Sequence, residues 1–196
     1  MKLDENKNLP KIIESSGLAL HKTRNLLSIT DKILASKTLA VVYDAWLDEL
    51  IAWADENEFS QKEFPRDKKD ILAMTELVIS VNGFSELPKS IGNLTNLTTI
   101  GFSFNQLVEI PESIGKLTKL TNLYLDRNQL SELPESIGNL TNLTGLYLGV
   151  NQFSKIPKSI GKLTKLTKLD LRCNPIKSLP PELSHLNGIT NFINYY

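Results

Sequence analysis

Residues 94–116 read LTNLTTIGFSFNQLVEIPESIGK, and residues 117–139 read LTKLTNLYLDRNQLSELPESIGN. These are two copies of one 23-residue phrase, which continues in both directions. Its anchors are Leu94, Leu117, Leu140 and Leu163, with a looser copy from Ile71 and a truncated one from Leu186. A fixed period of this length marks a solenoid in which one unit stacks on the next. Within 117–139, Leu123 and Leu125 flank Tyr124, an alternation that predicts a short strand with its leucines inward. Leu130 and Leu133 face inward after a turn at Gln129. Pro134 stops any further strand, having no N–H to donate, and Ser136-Ile137-Gly138 closes a short convex segment. One unit has nothing of its own to bury these side chains against. Stacking removes them from water, at about 1.5–3 kcal/mol per large side chain.

Asn82, Asn105, Asn128, Asn151 and Asn174 share one position in the phrase. A buried amide without partners costs about 1–3 kcal/mol per orphaned group. The row is therefore expected to form a ladder, each amide bonded to the backbone of its own or the neighbouring coil.

The pattern LxxLxLxxNxLxxLPxSIGxL resembles the leucine-rich repeat, in the 23-residue form that looks like many bacterial members, from Ile71 to Tyr196. The resemblance implies an α/β solenoid: a right-handed, curved parallel sheet on the concave side, with short 3-10 or helical turns on the convex side. Full repeats would cover 71–93, 94–116, 117–139, 140–162 and 163–185, with a partial repeat at 186–196. A half repeat precedes them at 63–70, because Phe64-Pro65 aligns with Leu87-Pro88 and Ile71 with Leu94; Lys68 stands where later repeats have isoleucine.

The first part of the chain reads differently. Ile13, Leu20, Leu27 and Leu34 recur every seven residues, as do Ile12, Ala19, Leu26 and Ile33. This stripe predicts a helix from about Pro10 to Ser36, weakened at Gly17 by about 1 kcal/mol relative to alanine. A second helix is predicted over Lys37–Glu56, with Leu39, Val42/Tyr43, Trp46, Leu50 and Trp53 on one face. The seven-residue spacing of Trp46 and Trp53 is that of core packing. Together the helices suggest a hairpin that caps the solenoid, whose first coil otherwise exposes its core. Residues 1–62 are thus expected to form a helical capping region and 63–196 the repeats.

Composition excludes several function classes. Lys+Arg and Asp+Glu both number 22, so no overall charge argues for nucleic acid or membrane. The balance is uneven: from Leu140 onward seven basic residues face two acidic ones, which leaves an acidic partner or nucleic acid as an alternative for that half. Cys173 is the single cysteine, so no intrachain disulfide forms, and no base accompanies it in a catalytic motif. Known family fusions with catalytic action carry a separate domain with an active cysteine; here the cysteine lies inside a repeat. No paired carboxylates, metal-ligand cluster or phosphate loop is found, so neither enzyme activity nor a cofactor nor a metal is expected. Met1–Lys7 has no apolar stretch of the secretory type, and no 18-residue apolar run occurs, which predicts a cytoplasmic protein or one exported without a cleavable signal. The N-x-T sequons at Asn93, Asn96, Asn139 and Asn142 follow from the repeated text.

The internal repeat itself separates scaffold from surface. Strand residues between the leucines would form the concave face. One column runs Val78, Gly101, Tyr124, Tyr147, Asp170, Ile193; the next Ser80, Ser103, Asp126, Gly149, Arg172, Tyr195; a third Val81, Phe104, Arg127, Val150, Cys173. The expected partner-binding residues are Val78, Phe104, Tyr124, Asp126, Arg127, Tyr147, Val150, Asp170, Arg172 and Tyr195, with Gly101 and Gly149 leaving open backbone beside them. Aromatics rimmed by paired charges have the composition of an interface. The expected function is a non-enzymatic protein-interaction scaffold for an unknown protein partner. A bacterial effector that uses the repeats for targeting is the alternative, and a homodimer through the strand edge at Asn191–Tyr195 is a further possibility.

Overall fold

The computed structural model describes residues 45–186. The predicted helix from Pro10 to Ser36, the first part of the second helix, and the last strand with Ile193, Tyr195 and Tyr196 lie outside the described residues. The chain divides into two compact units, Met1–Trp46 and Leu47–Tyr196. Of the first, only residues 45 and 46 are described, both helical. The unit that holds the repeats begins at Leu47, ahead of the half coil at Glu63.

Each 23-residue phrase adds one strand. β1 (Glu76–Val78), β2 (Thr99–Gly101), β3 (Asn122–Tyr124), β4 (Gly145–Tyr147) and β5 (Lys168–Asp170) form one parallel sheet in chain order. The central residues Leu77, Ile100, Leu123, Leu146 and Leu169 pair in register and are buried. Opposite the sheet, 3-10 turns at Lys89–Asn93, Glu112–Lys116, Glu135–Asn139 and Lys158–Lys162 each follow a proline, and a fifth spans Pro181–Leu186. Proline suits this entry because its φ near −65° is pre-set and its missing N–H is not needed there. The half coil before them differs. Asp67, not proline, caps it by accepting from Lys69 N and Asp70 N, and the segment Lys68–Ala73 is α-helical. Phe64 and Ile71 are nevertheless fully buried, as their alignment with Leu87 and Leu94 predicts.

The asparagine ladder forms. Asn128 Oδ1 accepts from Leu107 N of the preceding coil, and its Nδ2 donates to Phe102 O and Leu125 O. Asn151 and Asn174 repeat this pattern; Asn105 donates likewise to Ile79 O and Phe102 O but accepts from Asn82 N and Gly83 N; Asn82, at the open start of the row, is exposed. A threonine row that the sequence reading passed over runs parallel to it. The hydroxyls of Thr98, Thr121, Thr144 and Thr167 each donate to the carbonyl of the threonine one coil earlier, at 2.9–3.1 Å. Two of the sequon asparagines are also structural: Asn96 Nδ2 donates to Leu72 O and Asn142 Nδ2 to Thr118 O, while Lys119 and Lys165 donate to their side-chain oxygens.

At the start of the unit, the helical residues 47–56 (α1) bury Leu47, Leu50, Trp53 and Ala54 and expose Asp48, Glu49 and Asp55. Trp53 packs edge-to-face on Phe59, Phe64 and Phe84, and its indole N–H donates to Glu86 O at 3.0 Å. Phe84 meets Phe102 of the next coil in the same manner. Arg66 donates to Asp55 of α1 and to the carbonyls of Phe59 and Phe64. No helix of the described residues is long and apolar enough to cross a membrane.

The convex turns approach each other closely, and this explains the glycine of the SIG text. A β-carbon on Gly115 would lie 2.5 Å from Ser136 O and 2.6 Å from Ser136 Cβ; Gly138 stands in the same relation to Ser159. Gly115→Ala is expected to lower stability by about 1–3 kcal/mol, the usual range for overpacking. Gly149→Ala, whose β-carbon would meet the Asp170 carboxylate at 3.4 Å, is the control, with a change of about 0.5 kcal/mol or less. Equal urea midpoints for the two variants would refute the steric account.

Candidate functional site

Strand alternation turns two residues of each three-residue strand away from the core. The column Val78–Gly101–Tyr124–Tyr147–Asp170 is in register across all five strands. Tyr124 and Tyr147 stack with centroids 4.5 Å apart and planes 12° from parallel, each half-buried. The separation matches the spacing of neighbouring strands, so the sheet itself sets the stack. Gly145, which the sequence reading did not single out, makes room for it: a β-carbon there would come 3.0 Å from the Tyr147 ring and 2.7 Å from Asn122 Oδ1. The signal was present two residues before Tyr147, on the same face of the strand.

Gly101 and Gly149 do not leave open backbone. Both are buried, because the neighbouring side chain fills the space: Val78 leans over Gly101 and the Asp170 carboxylate over Gly149. Val78 remains 53% exposed.

The carboxylates beside the tyrosines have partners within the chain. Asp126 accepts from the Ser103 hydroxyl at 2.7 Å. Asp170 takes a bidentate pair from Arg172, at 2.9 Å from Nε and 2.6 Å from an Nη, and a backbone bond from Arg172 N. Partial burial pushes the Asp170 carboxyl up, but the hydrogen bonds from Arg172 and its charge outweigh that and hold it below the usual carboxylate range.

Val81, Phe104, Arg127, Val150 and Cys173 lie beyond the strand ends. Each has a left-handed backbone, with φ between 55° and 66°. The expectation of a third strand column is thus corrected to a row of turn residues at the strand exits. At Phe104, Arg127, Val150 and Cys173 the cause is the ladder, since each directly precedes an asparagine whose amide the turn brings inward; Val81 keeps the same turn before the exposed Asn82. Left-handed geometry costs a residue with a β-carbon about 1–2 kcal/mol, most for β-branched Val81 and Val150. All five are exposed, and the Arg127 guanidinium lies over the Phe104 ring at 4.9 Å. The tenth expected contact residue, Tyr195, is outside the described residues.

The basic excess of the C-terminal half does not gather. Lys155 pairs with Glu132 and Lys158 with Glu182. Lys158 and Lys162 stand on a convex turn, and Lys168 on β5. Among the described residues no group of three or more His, Cys, Asp or Glu is placed to hold a metal ion.

Comparison with known proteins places these features in a family. Residues 69–150 match the family model for a leucine-rich repeat region, and residues 141–188 match one for two copies of leucine-rich repeats. No curated protein sequence matches the chain significantly. Among solved structures, a leucine-rich repeat protein of Leptospira interrogans is 33% identical, with a TM-score of 0.61 over 67% of this chain and 34% of its own. The functional domain of InlJ from Listeria monocytogenes, which includes a cysteine ladder, is 28% identical, with a TM-score of 0.54 over 64% of this chain and 26% of its own. The ectodomain of the Arabidopsis thaliana receptor kinase GASSHO1/SCHENGEN3, in complex with CASPARIAN STRIP INTEGRITY FACTOR 2, is 35% identical, with a TM-score of 0.57 over 62% of this chain and 15% of its own. The chain spans about a third or less of the length of these structures.

Proposed function

We propose that this chain, a leucine-rich repeat protein, is a non-enzymatic recognition module that binds a protein partner through its concave sheet. Domains of this family commonly mediate protein–protein interaction and are typically not enzymes. One observation carries the assignment to the concave side: the repeated residues turn inward, and the unlike ones, centred on the half-exposed Tyr124–Tyr147 stack, share the opposite face. Rigid stacked aromatics give large contact area at little entropic cost. A related repeat domain, that of the receptor kinase, was solved with a bound factor. The single cysteine suits a reducing compartment such as the cytoplasm.

The test is affinity capture from the source cell's extract with the intact chain and with the Tyr124→Ala/Tyr147→Ala pair. The double variant is expected to stay folded, because the stack contributes only about 0.5–1.5 kcal/mol beyond its burial, and to lose its partner at least about tenfold, or 1.4 kcal/mol. Glu135→Ala, on a convex turn, serves as the control and keeps the partner. Undiminished capture by the tyrosine variant rejects the concave reading.

A further inference from the structure

We propose that the left-handed turn residues Val81, Phe104, Arg127 and Val150 form a recognition stripe for an extended acidic segment of the partner, with Arg127 pairing with a carboxylate flanked by large apolar side chains. The inference rests on the concave-face reading and names the chemistry of its ligand.

Three observations carry it. First, the turn imposes a backbone that glycine or asparagine would adopt at little cost, yet the chain has valine twice, phenylalanine and arginine there. None of these side chains contributes to the core: Val81 is 74% exposed, Phe104 50% and Val150 41%. Strain kept at exposed positions, with no packing in return, marks contact residues.

Second, Arg127 is the charged group of this stripe, and no side-chain or backbone oxygen among the described residues accepts from its guanidinium. Its contact is the Phe104 ring, 4.9 Å away. The adjacent carboxylates are already engaged, Asp126 by Ser103 and Asp170 by Arg172. A stacked, pre-oriented guanidinium retains its fork of N–H donors for a planar carboxylate.

Third, the size fits a short peptide. Three strand steps separate Val81 from Val150, roughly 14 Å at strand spacing, which an extended segment of about five residues covers. Apolar side chains on either side of its carboxylate would meet Val81 and Phe104 at one end and Val150 at the other.

The probe is a random linear peptide library displayed against the intact chain. Enriched sequences are expected to carry Asp or Glu between aromatic or aliphatic residues. Synthetic copies should bind Arg127→Gln at least tenfold more weakly and Arg127→Lys at an intermediate level, because an ammonium cannot form the bidentate pair. Circular dichroism and thermal unfolding of the variants establish that they stay folded. Enriched peptides without an acid, undiminished binding to Arg127→Gln, or no enrichment over an unrelated repeat scaffold would overturn the stripe. So would retention of an oligonucleotide pool through Arg127 in place of peptides. Binding lost in the Tyr124→Ala/Tyr147→Ala variant but unchanged in Arg127→Gln rejects the stripe and keeps the concave reading; indifference to both rejects the two together.

Discussion

Replacing Asn128 by alanine is expected to lower the stability of the repeat unit by about 3–5 kcal/mol, far more than loss of one surface amide. The reason is the unequal sharing of the ladder. Phe102 O keeps the Asn105 amide and Leu125 O keeps that of Asn151, so both carbonyls retain a partner. Leu107 N has no such reserve: Asn128 Oδ1 is its acceptor, and the group is buried. Two charge-neutral hydrogen bonds, one orphaned donor and a small cavity add up. Asn128→Asp separates these contributions. Its carboxylate still accepts from Leu107 N, but it meets two carbonyl oxygens with no proton to offer. The native pKa of that acid rises, so the folded state binds more protons than the unfolded chain. Stability should therefore be lowest above the raised value and recover as pH falls toward about 4, where the protonated acid donates one bond. Denaturant unfolding of both variants from pH 4 to 7 measures this; a pH-independent deficit in the aspartate variant would contradict the ladder geometry.

Trp53→Ala is expected to cost about 3–5 kcal/mol, the range for removing a large buried aromatic. Trp53 touches Phe59, Phe64 and Phe84 and holds Glu86 O, so one truncation loosens α1, the following loop and the first coil together. Trp53→Phe restores part of the packing but leaves Glu86 O without its donor, and should fall about 1–3 kcal/mol short of the wild type. In a solenoid each coil contacts only its neighbours, so the damage should decay along the chain. Hydrogen exchange can read this directly. Amides of the first coils, such as Ile79 and Thr98, should lose protection, while Leu148 and Thr167, beside the fourth and fifth strands, keep theirs. Uniform loss across all five strands would mean that the aromatic cluster does not act locally.

Periodicity made the repeats legible before any coordinates. The inward leucines, the asparagine row and the proline-led convex turns recur every 23 residues, and each has one physical solution once the coils stack. Trp53 and Leu50 were readable from a helical stripe. Other features carried no such signal. Asp67 converts the half coil into an α-helix through a side-chain cap, a choice made by one residue rather than by a pattern. The SIG glycine and the threonine row are periodic in the text, yet their reasons lie in contacts between coils.

The candidate surface was legible only in part. That Val78, Tyr124, Tyr147 and Asp170 share a column follows from the period alone. That Tyr124 and Tyr147 stack, with Gly145 clearing the space, depends on rotamers. That Gly101 and Gly149 are covered depends on which way Val78 and Asp170 lean. The row from Val81 to Cys173 was read as strand because it continues the columns; the asparagine ladder pulls the chain into a left-handed turn instead.

The sequence by itself determined the coil, its register and the inward side, because a 23-residue period allows stacked apolar side chains only one shared interior. Tertiary structure alone decided which outward groups are free and which are spent. Asp126 and Asp170 are engaged by Ser103 and Arg172 while the Arg127 guanidinium is left on an aromatic ring, and such pairing is a matter of a few ångströms between neighbouring coils that no repeat pattern encodes.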